Sequence, residues 1–244
     1  MKKLVFVILL AFFTLGIQAQ KTYVLLTGVS NYGDGDHNLH NCTKDVKDLK
    51  SIFEKQGAVV GVLTGRNVTT ENIETKIKAI VQLAKPEDNI IFFFSGHGAL
   101  GGLVSYGPEY ISYNSLADML AKAKTRKVFC FLDACNAGSS AASTIKDETD
   151  EKIEFNTNIT FVTASRFVES SYENDWVGHG VFAQAMIKGI RGKADTNRDR
   201  KVTLIELYKY IYNDVTARTR NTPQAQHPQL IGPSSLYDTV ITKW

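Results

Sequence analysis

Two apolar runs, Phe92-Phe93-Phe94 and Phe129-Cys130-Phe131-Leu132, constrain this chain more than any other feature, because each passes directly into a reactive side chain backed by glycine. Apolar runs of this kind, without polar alternation, are the pattern of strands buried on both faces, as in parallel sheets covered by helices. The first run leads into Ser95-Gly96-His97-Gly98 and the second into Asp133-Ala134-Cys135-Asn136-Ala137-Gly138. In open α/β sheets chemistry collects just beyond the carboxyl ends of the strands. His97 and Cys135 both stand there.

Periodicity along the rest of the chain predicts strands near 22–29, 58–64, 89–95, 127–133 and 159–164, and Leu236–Ile241 as the last strand. Helical patterns near 43–56, 70–84 and 114–124 separate the early strands, and others follow near 179–191 and 203–218. Strands alternating with helices imply a mostly parallel, doubly wound sheet. No repeat, linker or low-complexity tract divides residues 21–244, which with 43% hydrophobic content over the chain suffice for one α/β domain.

A thiol is only a few per cent thiolate at neutral pH, so a cysteine nucleophile needs an imidazole within hydrogen-bond reach to activate it and later protonate a leaving amine. Cys135 and His97 are the candidates for those two roles. Gly98 has no side chain to block its backbone N–H. That group and the N–H of Cys135 are the candidate donors to an oxyanion. His179 lies in a second Gly-His-Gly segment but precedes a helix, which sets it apart from His97.

At these residues the chain resembles the caspase and metacaspase family of cysteine peptidases, in which the catalytic His follows a strand in Ser-Gly-His-Gly and the Cys follows Asp-x. Tyr23 to Tyr32 resembles the family's opening strand, and Leu39-His40-Asn41-Cys42-Thr43-Lys44-Asp45-Val46 the start of its first helix. Thr163-Ala164-Ser165-Arg166 with Glu169 and Glu173 is similar to its small-subunit strand and loop, and Gly180-Val181-Phe182-Ala183 to the start of a later helix. The resemblance implies an α/β fold, a caspase-like three-layer sandwich. Its six-stranded, mostly parallel sheet carries helices on both faces and has an antiparallel last strand. A large-subunit-like part is expected over about 21–140 and a small-subunit-like part over about 158–244.

The resemblance also implies a specificity. In metacaspases the Asp two before the nucleophile and the Asp of a Cys-x-x-Asp segment line a pocket for a basic residue, matched here by Asp133 and by Cys42-Thr43-Lys44-Asp45. Cleavage after Arg or Lys is therefore expected, through charge-assisted hydrogen bonds. The plainer reading makes Asp133 a turn cap and Asp45 a first-turn helix acid. Asn136 departs from the residue often found after the nucleophile. Gly138–Asn158 reads as a polar surface loop, and in the family this region is a place of activating self-cleavage, with Lys146 and Lys152 as the candidate sites.

Asp195, Asn197, Asp199, Thr203 and Glu206 fall at positions 1, 3, 5, 9 and 12 of a calcium-loop pattern, with Arg200 where that pattern requires glycine. Two readings stand side by side, a calcium site or an Asp-rich turn with Thr203 and Glu206 forming a capping box. The peptidase chemistry itself requires no cofactor.

Residues 1–20 carry Lys2 and Lys3, an apolar run from Leu4 to Ile17 and a small residue, Ala19. This is the layout of a secretory signal peptide. An exported protein, periplasmic or secreted, is expected, with an uncleaved anchor as the rival reading. The net charge of +3 falls to +1 once the leader's two lysines are removed, so charge lends nothing to nucleic-acid or membrane binding. A peptide or protein substrate is the expected partner, and oligomeric state is not written in the sequence. Three cysteines leave at least one as a free thiol or in an intermolecular bond in an exported protein. Cys135 is the candidate, with Cys130 a small buried apolar residue. Three alternatives accompany the peptidase reading: an inactive caspase-like scaffold, a calcium-responsive structural protein in which Asp195–Glu206 is the functional element, and a clostripain-like or gingipain-like cysteine peptidase.

Overall fold

The structure is a computed structural model that describes residues 20–33, 38–99, 101–107, 110–134, 159–164, 173–174, 179–222 and 225–243. In chain order these form β1 (Thr22–Gly28), α1 (Cys42–Lys55), β2 (Val59–Thr64), α2 (Thr70–Leu83) and β3 (Asn89–Ser95). Three short strands follow, β4 (Gly98–Ala99), β5 (Gly102–Val104) and β6 (Tyr110–Ser112), then α3 (Tyr113–Leu120), β7 (Val128–Asp133) and β8 (Ile159–Thr163). The remainder comprises β9 (Glu173–Asn174), β10 (His179–Gly180), α4 (Val181–Lys188), β11 (Lys201–Thr203), α5 (Leu204–Thr219), β12 (Gln229–Ile231) and β13 (Val240–Lys243).

Six strands make one sheet in the order β12, β8, β7, β3, β1, β2. All neighbours run parallel except β12, which is antiparallel to β8. Every residue of β3 and of β7 is buried, which is why neither strand shows polar alternation. Their side chains divide by the two-residue period of a strand. Ile90, Phe92, Phe94, Val128, Cys130 and Leu132 join a core with α2 and α3 on one face. Ile91, Phe93, Phe129 and Phe131 join another with α1, α4 and α5 on the opposite face.

The expected sandwich, sheet and helices on both faces are therefore present. The expected last strand is displaced. Leu236 ends a short 3₁₀ turn, and β13 begins at Val240 and pairs with β11 outside the main sheet. The antiparallel sixth strand is Gln229–Ile231 instead. Periodicity also missed the small sheet β4, β5, β6 that follows His97. No disulfide joins Cys42 and Cys130, both of which are buried. No described helix is long and apolar enough to cross a membrane. The leader lies outside the described residues apart from Gln20.

Candidate active site

The site is set by a row of register partners at the carboxyl edge of the sheet. Gly28 of β1 stands opposite Ser95 of β3, and Ser95 opposite Asp133 of β7. Beyond this row, Val29 N–H donates to the Ser95 carbonyl at 3.0 Å and Gly96 N–H to the Asp133 carbonyl at 3.1 Å. The three chain exits thus leave the sheet side by side. His97 comes two residues after Ser95, and Cys135 two residues after Asp133. Cys135 lies outside the described residues, as do Lys146 and Lys152.

His97 is half-buried. Its N–H donates to the hydroxyl of Tyr32 at 2.7 Å, and its ring lies against the Tyr32 ring with centroids 4.8 Å apart and planes tilted by 38°. Gly98 opens β4 opposite Leu103, which places it at the start of the small sheet.

Close approach of α1 to β1 brings the first acid to this edge. A Cβ on Gly28 would stand 2.6 Å from the Cys42 carbonyl oxygen and 2.7 Å from Val46, so only glycine lets the first turn of α1 sit there. Cys42 is buried in that contact. One turn along, Asp45 is fully buried and accepts a hydrogen bond from Ser95 Oγ at 3.2 Å. Asp133 is 6% exposed, and its Oδ2 accepts the Ala183 N–H at 3.1 Å. That amide belongs to the first turn of α4, where the helix dipole favours a carboxylate. A Cβ at Gly180 would lie 2.5 Å from Asp133 Oδ2 and 3.6 Å from Asp45 Oδ2. The two acids therefore converge on one glycine. Their contacts were not legible in the sequence, since Ser95 is 50 residues from Asp45, and Ala183 is 50 from Asp133.

Cys130, the third of the six residues of β7, is buried among apolar side chains, and burial pushes its thiol well above the ordinary cysteine range. It is an inert packing residue.

The Asp195–Glu206 segment lies between α4 and α5. Asp195 and Asn197 side chains accept backbone N–H groups of Asp199 and Arg200, and Asp199 accepts that of Lys201. Thr203 caps α5 and Glu206 completes a capping box. Partial burial opposes ionisation of Glu206, but hydrogen bonds from Thr203 and Thr196 hold its carboxyl below the usual range. Arg198 and Arg200 adopt φ of 61° and 64°, so the sharp turn forms without glycine. Among the described residues no three His, Cys, Asp or Glu side chains form a group able to hold a metal ion.

This geometry can be set beside known proteins. A structural-genomics target from Geobacter sulfurreducens superposes with a TM-score of 0.67 at 16% identity, covering 91% of this chain and 99% of that one. Caspase-1 from Spodoptera frugiperda superposes with a TM-score of 0.63 at 17% identity, covering 87% and 86%. At such identities the likeness is one of fold. No curated protein sequence matches. The family described as the caspase domain matches residues 21–236, nearly all of the sequence whose strands and edge residues are laid out above, and the chain accordingly belongs to the caspase-domain family.

Proposed function

We propose that this protein is a cysteine endopeptidase of metacaspase type, cutting after Arg or Lys with His97 and Cys135 as its reacting pair. The observation that carries the reading is the register of β3 on β7, which sets Ser95 against Asp133. Caspase-domain proteins are generally cysteine peptidases, with peptide or protein substrates. In the proposed reaction His97 accepts the Cys135 thiol proton, and the sulfur attacks the substrate carbonyl. Backbone N–H groups of Gly98 and Cys135 stabilise the oxyanion, each donor worth roughly 10²- to 10³-fold in rate. The C–N bond breaks as His97 returns the proton to the leaving amine, and water then hydrolyses the thioester.

Basic specificity is supported by the burial of Asp45 and Asp133 at one edge, both within reach of Gly180. Two buried carboxylates this near one another are stabilised by a cation presented with hydrogen-bond geometry. Calcium modulation through Asp195, Asn197, Asp199, Thr203 and Glu206 is a second reading. It is supported by the positive φ of Arg200, which stands where the calcium-loop pattern places its glycine. Export through the leader and self-cleavage at Lys146 or Lys152 belong to the same proposal.

The test is hydrolysis of fluorogenic peptides ending in Arg, Lys or Asp by the mature chain, with calcium and with chelator, beside Cys135→Ala. Turnover of the Arg and Lys peptides is expected, falling to background in the variant. Intact mass reports any self-cleavage in the same samples. Cleavage of the Asp peptide alone would sink the assigned specificity. A chain inert under every condition would favour the scaffold reading.

A further inference from the structure

We infer that Tyr32 is a positioning residue for His97, holding both its backbone and its ring; the inference rests on the peptidase reading of that histidine. Tyr32 follows β1 and reaches His97 across 65 residues of sequence. Its hydroxyl accepts the His97 N–H at 2.7 Å, while its ring lies 4.8 Å from the imidazole. One side chain thereby restrains the segment that carries the base and the face of the base itself.

Two neighbouring features fit this role. Gly96 has no room for a side chain, because a Cβ there would stand 2.7 Å from Tyr32 Oη and 2.9 Å from the Phe94 ring. The glycine before His97 is thus the space into which the tyrosine hydroxyl fits. Tyr32 is itself held, since its N–H donates to Asn38 Oδ1 at 3.1 Å and Leu39 N–H donates to the Ser30 carbonyl at 2.7 Å. Its ring packs against the buried core on the α2 and α3 face. The anchor therefore runs from that core through Tyr32 to His97. A base so held needs less reorganisation to receive a proton from a neighbouring thiol, and misplacement by about 1 Å is enough to cost roughly 10²-fold in rate.

Tyr32→Phe keeps the ring and removes the acceptor, and Tyr32→Leu removes both. We expect kcat to fall about tenfold in the first, the rate equivalent of one hydrogen bond, and further in the second. KM for the Arg peptide should stay within about twofold, since binding of the basic side chain is untouched. The second measurement is the rate at which iodoacetamide alkylates Cys135, located by peptide mass. Tyr32→Phe should slow alkylation in the native background and have no effect when His97→Ala is already present.

The outcomes separate. Alkylation that is insensitive to His97→Ala overturns the reacting pair and the role of Tyr32 with it. Alkylation that responds to His97→Ala but not to Tyr32→Phe overturns the Tyr32 inference alone. So does a loss in Tyr32→Phe expressed in KM with kcat unchanged, or one that persists in the His97→Ala background.

Discussion

Single residues decide how closely the site's elements meet, and Gly28 is the sharpest instance. It faces a backbone carbonyl, Cys42, at a distance no Cβ tolerates, and backbone cannot step aside as a flexible side chain can. Gly28→Ala should therefore destabilise the protein by about 2–3 kcal/mol, read as a shift in denaturant midpoint. It should also lift Asp45 from Ser95, lowering turnover of the Arg peptide more than the loss of folded protein explains. His97 stands out in the sequence as a candidate because a glycine-flanked histidine after an apolar run has few other uses. The sequence made Asp45 and Asp133 legible only through family resemblance, since an acid in the first turn of a helix or after a strand has an ordinary structural use as well. Asp133 has that use too, accepting an α4 amide. Tyr32 carried no signal at all, because a contact across 65 residues exists only once the register is known.

At the scale of elements, strands were read well wherever they are buried on both faces and long enough to show it. The predicted 89–95 is β3 itself, and 127–133 differs from β7 by one residue. The failures are short strands. Gln229-Leu230-Ile231 spans three residues between Pro228 and Gly232, too few to display a period, and β4, β5 and β6 have the same difficulty. Local chemistry was more informative at α5, where the spacing of Thr203 and Glu206 announced a capping box that the fold contains. Thr203→Ala removes the side-chain acceptor for the Glu206 N–H and should cost about 1 kcal/mol, roughly 2–4 °C in Tm for a chain of this size. A thermal melt in chelator checks this without interference from any bound cation.

Across the whole molecule, two cores are glued to the same four strands. β1, β3, β7 and β8 lie inside the sheet with apolar side chains on both faces, whereas β2 is an edge whose first residue, Val59, is 51% exposed. Native-state hydrogen exchange should accordingly find the amides of β1, β3, β7 and β8 opening last and those of β2 and β12 earlier. Protection of β2 equal to that of β3 would contradict this ordering. The row formed by Gly28, Ser95 and Asp133 has a consequence for how such a chain changes over time. Because strand side chains alternate, deleting Ile91 would present Phe92 and Phe94 to the wrong core as well as moving His97. The alignment of the proposed reacting edge is therefore insured by the cost of unfolding, and variation that preserves a folded protein is channelled into the loops beyond it, while the spacing of the candidate residues stays fixed.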